Sequence, residues 1–215
     1  MKKYEKIPSV FKRDGNTVYD VFSSEYLKQL SNIYWEFTEK IDGTNIRICW
    51  DGYDISFLGR TEKSQIPQHL LEVLEKTYKT YEFEEMVEQE FGDKEVIFFG
   101  EGCGEKIQTN GAKYGKPHFV LFDIYVDGAY LDRYDFYRYA RSLKFETAPS
   151  IIGGSLKGGI ECVSKHPQST LGDVEMEGLI ARPYVELYDN KGNRIITKIK
   201  WKDIKDMEKE DDNED

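Results

Sequence analysis

The polar stretch EKIDGTN at residues 39–45 constrains the fold most, because it separates two segments in which every second residue is apolar. That alternation predicts half-buried strands over 33–37 and 46–50. Lys40 follows the first predicted strand directly and precedes an Asp-Gly turn signal. Its amine is therefore expected at the rim of a sheet, where a nucleophile would be firmly held.

The remainder of the chain alternates between strand and helix patterns without a regular βαβ order. Further strands are predicted over 55–59, 95–101, 119–126, 177–181, 184–188 and 194–201, with a two-residue turn at Asp51-Gly52. Helices are predicted over 24–30, 67–91 and 132–143, the second one broken, whereas 145–172 has the composition of short strands and loops. This mixture predicts an α+β fold with largely antiparallel sheets.

Length and composition indicate the domain size and the cellular compartment of the protein. The length of 215 residues suits one domain with a sizeable core. Three scattered cysteines without C-x-x-C spacing predict a reducing compartment. No apolar run reaches the length of a membrane span, and the N-terminus lacks a signal-peptide core. A cytoplasmic protein with no membrane partner is therefore expected.

The formal net charge of −10 is unevenly distributed. Residues 206–215 contain seven acids and one base, a net of −6, which leaves −4 for the rest of the chain. Such a segment is typical of disorder, so residues 205–215 are predicted to form an acidic, disordered tail. A basic groove elsewhere remains compatible with the total charge.

Five later motifs follow the lysine stretch in a chemically coherent order. They are GRT at 59–61, FGEG at 99–102, LFDI at 121–124, EGLIARP at 177–183 and TKIKW at 197–201. With KIDGTN, they resemble the motifs of the covalent nucleotidyltransferase superfamily, and most closely those of the phage-type double-strand RNA ligases, or RNA ligase 2 family. The resemblance implies an ATP-grasp-like nucleotidyltransferase domain over 1–204, with the nucleotide site between its sheets.

Lys40 is the residue that the resemblance identifies as the nucleophile, which would take AMP from ATP. Attack on the α-phosphate requires a neutral amine, whereas a free lysine is protonated at pH 7. Lys198 and Lys200, with a bound metal, are expected to disfavour the ammonium form and to stabilise the departing pyrophosphate. Glu177 completes the predicted catalytic set.

The remaining roles come from the same resemblance. Ile41 is one of the predicted nucleotide-binding residues, besides Glu177, Lys198 and Lys200. The others are Glu39 at the adenine edge, Asn45 and Arg60 near ribose or phosphate, Glu101 at the ribose, and Phe122 stacked on the base. Asp42 and Glu177 are predicted to hold Mg²⁺ or Mn²⁺, in part through water. Gln108 is predicted to contact phosphate or RNA.

The resemblance implies an ATP-dependent RNA ligase that acts on RNA ends in a nicked duplex during RNA repair. A monomer is expected, with end-healing enzymes as possible partners. One alternative is a minimal ATP-dependent DNA ligase, which the fifteen residues after Lys200 disfavour, because DNA ligases usually carry an OB domain there. The others are a nucleotide- or RNA-binding protein that lacks sealing activity, and an adenylated carrier that needs a partner.

Overall fold

The computed structural model describes residues 2–15 and 17–211. Its strands are β1 (Phe11–Asp14), β2 (Thr17–Phe22), β3 (Trp35–Glu39), β4 (Thr44–Trp50), β5 (Ile55–Gly59), β6 (Val96–Cys103), β7 (His118–Val126), β8 (Ala129–Tyr130), β9 (Ser150–Gly154), β10 (Gly178–Pro183) and β11 (Thr197–Lys200). Its helices are α1 (Glu25–Gln29), α2 (Gln68–Tyr78), α3 (Tyr81–Phe91), α4 (Arg133–Ser142), α5 (Leu156–Ser164) and α6 (Trp201–Asp211). These elements belong to two compact units.

The first unit comprises residues 2–5 and 42–148. Its sheet has the order β5-β4-β6-β7-β8, and all neighbours are antiparallel. One face of this sheet, including Ile46, Ile48 and Phe98, packs in a core with apolar residues of α2, α3 and α4. The opposite face carries a smaller cluster around Phe99. Alternation along the strands therefore leaves the residues between the core positions, such as Asn45, on this second face.

The second unit comprises residues 6–41 and 149–211. Its main sheet has the order β11-β10-β3-β9, again antiparallel throughout, and β1 pairs with β2 in a separate ribbon. Trp35 and Phe37 of β3 are fully buried in its core, together with Leu156 of α5. The α+β class with antiparallel sheets and flanking helices is thus confirmed.

Several predicted elements keep their positions, because local signals define them. Ser24 caps α1 by accepting a hydrogen bond from the backbone N–H of Leu27, and Asp132 caps α4 in the same way. The broken helix is two helices, α2 and α3, and Gly92 ends the second with a positive φ. The expected two-residue turn is a four-residue loop over 51–54, because the Asp51 carboxylate accepts two backbone N–H groups within it.

The C-terminal third differs more from the prediction. Residues 184–188 form no strand in the described structure. Tyr184 and Val185 are exposed, and Tyr188 makes an isolated bridge with Arg194 instead of joining a ladder. Residues 145–172 contain the helix α5 as well as β9. The last strand ends at Lys200 rather than at Trp201, where α6 begins.

The last helix overlaps the tail that the sequence predicts over 205–215, and that boundary stays a prediction. Helix α6 continues to Asp211, and Ile204 anchors its first turn in the core with 6% exposure. Residues 212–215 lie outside the described part of the chain. The assignment of 1–204 to one nucleotidyltransferase domain stays a prediction. Over residues 2–15 and 17–211, no helix is both long and apolar enough to cross a membrane.

Candidate active site

Lys40 follows β3 directly, as the sequence predicts. Its backbone N–H donates to the carbonyl oxygen of Gly178 at 2.9 Å, so the backbone pairing of β3 with β10 continues to the lysine itself. Ile41, the next residue, is 6% exposed and is the last residue of the second unit before the chain enters the first. Lys40 is therefore fixed through its backbone at the end of a central strand.

Glu177 lies immediately before β10 and binds two lysines. The Lys40 amine donates to Glu177 Oε2, and the Lys200 amine lies 2.8 Å from Glu177 Oε1. All three side chains are between 22% and 30% exposed. The register of β10 and β11 pairs Gly178 with Lys200, which explains why Lys200 reaches this carboxylate. Sequence and register thus bring Lys40, Glu177 and Lys200 together.

The charges in this cluster influence one another. Burial tends to raise the pKa of Glu177, but the charges and hydrogen bonds of Lys40 and Lys200 outweigh it and lower that pKa. The pKa of Lys198 is lowered by burial first and then by the like charges of Lys200, Lys40 and Lys6. Lys40 and Lys200 bind the Glu177 carboxylate, and Lys198 lies close enough to both lysines to be influenced by their charges. This excess of positive charge favours a polyanionic ligand.

Glu39, the last residue of β3, is 2% exposed and holds a loop of its own unit. Its carboxylate accepts hydrogen bonds from the Ser169 hydroxyl and from both the backbone N–H and the hydroxyl of Thr170, the last two at 3.1 Å. A buried carboxylate needs such partners. Its predicted contact with the adenine edge stays a prediction, and the two loop residues are ones that the sequence did not single out.

In the first unit, the register of β4 and β6 places Asn45 directly opposite Glu101. Directly paired residues point to the same face of a sheet. Asn45 Oδ1 is buried and has no hydrogen-bond partner within the described residues, an arrangement that suits a ligand hydroxyl. The two predicted ribose-binding residues are thus neighbours.

Gly43 supports this pair by its lack of a side chain. A Cβ atom built on Gly43 would lie 2.3 Å from the carbonyl oxygen of Gly102 and 2.9 Å from Glu101 Cγ. Such distances do not occur for real Cβ atoms, so only glycine allows β4 to begin this close to β6. The Gln108 side-chain amide donates to the carbonyl oxygen of Gly43 at 2.9 Å, which assigns it a structural contact beside its predicted one.

Phe122 and Arg60 lie elsewhere in the first unit. Phe122 is half-buried, and its ring meets Tyr4 edge-on with centroids 4.8 Å apart, in the cluster that contains Phe99. Arg60 follows the last residue of β5 and is exposed. Their predicted contacts with base and phosphate stay predictions.

Asp42 and Glu177, the predicted metal ligands, belong to different units. The Asp42 backbone N–H donates to the Tyr114 hydroxyl at 3.4 Å. In the described part of the chain, no group of three or more His, Cys, Asp or Glu side chains is placed to hold a metal ion. A cation at either carboxylate would depend on water and substrate oxygens, as magnesium usually does.

Comparison with known families decides how the site is understood. A family model described as RNA ligase matches residues 33–200, more than three quarters of the sequence. The chain belongs to the RNA ligase family. The matched residues include Lys40, Glu177 and both lysines of β11, so the predicted resemblance to RNA ligases is confirmed at the level of the family. A search of curated proteins found no match.

Solved structures of a Naegleria gruberi RNA ligase have a similar fold. A mutant with ATP and Mn gives a TM-score of 0.67 at 19% identity, over 93% of this chain and 56% of that one. The structure with PPi gives 0.64 at 20% identity, over 86% and 54%. Identity at this level supports the shared fold alone. The chain spans about half the length of these structures.

Proposed function

We propose that this protein is an ATP-dependent RNA ligase that works through a lysyl-AMP intermediate on Lys40. The observation that carries the proposal is the cluster of Lys40, Glu177 and Lys200, with Lys198 on the same strand as Lys200. Membership of the RNA ligase family supports the substrate class. ATP and Mn in structures of similar fold support the nucleotide and the divalent cation as cofactors.

The first step forms a bond between Lys40 Nζ and the α-phosphorus of ATP, while the bond to the bridging oxygen breaks and pyrophosphate leaves. An ion pair requires the ammonium form, which has no lone pair, so Lys40 must leave Glu177 and lose a proton to solvent first. Lys198 and Lys200 attract the triphosphate and stabilise the charge that develops on the leaving group. Glu177 keeps Lys200 oriented during the exchange.

The second step transfers AMP to RNA. An oxygen of the RNA 5'-phosphate attacks the adenylate phosphorus, the P–N bond breaks, and Lys40 regains its proton. In the third step, an RNA 3'-hydroxyl loses its proton and attacks the activated 5'-phosphate, and AMP leaves. Both steps create negative charge at phosphate oxygens, so the same lysines serve throughout.

A divalent cation would neutralise phosphate charge when bound. Glu177 fits as a ligand in chemical type, because its pKa is lowered and the carboxylate is ionised at neutral pH. Once Lys40 carries AMP, its nitrogen is no longer cationic, which leaves one oxygen of Glu177 without its ion pair. Asp42, which belongs to the other unit, stays a predicted ligand. Water and phosphate oxygens would complete the coordination.

The direct test is incubation with ATP labelled at the α-phosphate, followed by denaturing electrophoresis. Wild-type protein should retain the label, and Lys40→Ala should retain none. Lys40→Arg is a matched control for folding, because arginine keeps the ion pair with Glu177 but cannot form the adduct. Label on Lys40→Ala, or none on wild type, would contradict the proposal and favour a protein that binds nucleotide or RNA without ligation.

A second measurement identifies the polynucleotide. Nicked duplexes with RNA or DNA on either side of the break are compared at equal concentration. We expect RNA-containing nicks to be sealed faster, because the proposed role is RNA repair in the cytoplasm. Equal sealing of an all-DNA nick would favour the DNA ligase alternative. Adenylation without any sealing would favour a carrier that needs a partner, such as an end-healing enzyme.

A further inference from the structure

A basic cleft of about 560 Å³ lies in the second unit, next to the lysine cluster. The charged residues that line it are Lys6, Arg13, Lys198, Lys200, Lys202 and Asp203. Five cations therefore face one carboxylate, on a chain whose formal net charge is −10. Lys198 and Lys200 belong both to this cleft and to the site around Lys40. The cleft thus continues the active site on one side.

One wall of the cleft is formed by the N-terminal segment, residues 6–13, and backbone hydrogen bonds hold this segment in place. The backbone N–H of Val10 donates to the carbonyl oxygen of Lys198 at 2.9 Å. In turn, the backbone N–H of Lys198 donates to the carbonyl oxygen of Pro8 at 3.0 Å. The Thr197 hydroxyl also donates to Pro8 at 3.1 Å. The segment therefore adds to the edge of β11 in parallel orientation. This frame fixes Lys6 and Arg13 beside the active-site strand.

Asp203, the one carboxylate among the described charged residues that line the cleft, binds Ser9 and Arg13. It is 2% exposed and accepts a hydrogen bond from the Ser9 hydroxyl at 2.8 Å, and its other oxygen lies 3.3 Å from Arg13. Its charge is thus directed at Arg13. Lys6 and Lys202 are exposed at the cleft, where solvent and a large ligand can reach them.

We propose that this cleft binds the phosphodiester backbone of the RNA strand whose end is joined at Lys40. The proposal rests on the proposed function. Lysine, arginine and serine are the usual phosphate-binding side chains, and they read no sequence. Phe11 lines the cleft but is only 3% exposed, so it offers no platform for base stacking. Recognition here is therefore by charge.

Phosphates of ATP share this chemistry, so the source of the phosphates has to be distinguished. The cations come from three separate places: the N-terminal segment, β11 and the start of α6. A spread of this kind matches a row of phosphates along a strand better than one triphosphate. Lys6 and Lys202 should accordingly matter for RNA, whereas Lys198 and Lys200 should matter for both ligands.

The test compares Lys6→Gln/Lys202→Gln with Lys12→Gln/Lys157→Gln. Both double variants remove two exposed lysines from the same unit, but the second pair does not line the cleft. Affinity for a nicked RNA duplex with a 5'-phosphate is measured without ATP between 0.05 and 0.2 M salt. The first variant should reduce the salt slope by about two, so wild type loses roughly 16-fold more affinity over that range. The control should follow wild type.

Adenylation with labelled ATP provides the second arm. It should be unchanged in Lys6→Gln/Lys202→Gln, because this step involves no RNA. A parallel loss of adenylation would assign the cleft to ATP phosphates and overturn the proposal. RNA affinity that is absent from wild type, or equal in wild type and this variant at every salt concentration, would also overturn it. Failure of wild type to form lysyl-AMP would contradict the proposed function instead.

Discussion

Lys40 and Glu177 are 137 residues apart in sequence, yet they form an ion pair at the same end of two hydrogen-bonded strands. The register pairs Glu39 with Leu179, so the lysine leaves β3 where the glutamate enters β10. The backbone pairing of β3 with β10 determines where the Cα atoms of Lys40 and Glu177 lie. Lys40, the proposed nucleophile, and the Glu177 carboxylate are therefore positioned by the sheet, and the ion pair needs little further ordering.

Glu177→Gln should lower thermal stability at neutral pH, because it leaves Lys40 and Lys200 without their counter-charge. The folded-state pKa of Glu177 lies below its ordinary value of 4.5. The stability from its ionised form is therefore present above that value and is lost as pH falls through the folded-state pKa. The difference in melting temperature between wild type and variant should be constant from pH 7 to 5 and shrink below pH 4.5.

The matched control for this experiment is Glu175→Gln, two residues away and exposed. Its melting temperature should remain near that of wild type at neutral pH, because surface charges contribute little. A Glu177→Gln variant whose difference from wild type does not change with pH would contradict the assigned ion pairs.

The sequence predicts Lys40 at the end of one strand, and Lys198 and Lys200 on one face of another, because alternation is a local signal. Thr197 and Ile199 are buried, and the two lysines between and after them face away from the core, as expected. The contact of Glu177 with both lysines has no local signal. It follows from the order β11-β10-β3, which depends on pairing between distant segments.

Helix α5 and the hydrogen-bond partners of Glu39 were not predicted, because neither has a clear local signal in the sequence. Helix α5 contains Gly158 and Gly159, which lower helix propensity, and its formation depends on burial of Leu156 and Val163. The partners of Glu39 lie 130 and 131 residues away in a loop. Serine and threonine in a loop are too common to indicate a buried carboxylate elsewhere.

Ser169→Ala/Thr170→Val should destabilise the protein, because it removes two hydroxyl donors from the buried Glu39 carboxylate. Hydrogen bonds to charged groups contribute about 1.5–3 kcal/mol each, so the loss of two is expected to cost roughly 3–6 kcal/mol. Urea unfolding measures it. Ser164→Ala removes an exposed hydroxyl bond in the same unit and should change stability by less than about 0.5 kcal/mol. Equal effects of the two would refute a special role for the loop.

Lys198→Arg should extend ATP binding to higher pH. Burial and the charges of Lys200, Lys40 and Lys6 lower the pKa of Lys198 from its ordinary 10.5, so its positive charge disappears earlier on the alkaline side. Arginine stays protonated there. The measurement is calorimetric titration of ATP into two proteins that cannot be adenylated, Lys40→Met and Lys40→Met/Lys198→Arg. The ATP affinity of the first should fall toward pH 10, whereas that of the second should stay constant. Superimposed pH profiles would speak against this role.

Gly43→Ala should impair both stability and adenylation, because its new methyl group would meet Glu101 and the backbone of Gly102. The carbonyl of Gly102 belongs to β6 and cannot move alone, so β4 or the Glu101 side chain must shift. Overpacking of this kind typically costs about 1–3 kcal/mol. Glu101 is opposite Asn45, so its displacement should also raise the KM for ATP.

Gly158→Ala is the control, since its added Cβ would lie 3.7 Å from Ser155 Oγ, an ordinary contact, within a helix. It should leave adenylation unchanged and stabilise the protein by up to about 1 kcal/mol, the usual gain of alanine over glycine in a helix. Urea unfolding and initial adenylation rates compare the two variants. If Gly43→Ala behaved like Gly158→Ala in both measurements, close packing of Gly43 would not be what positions Glu101.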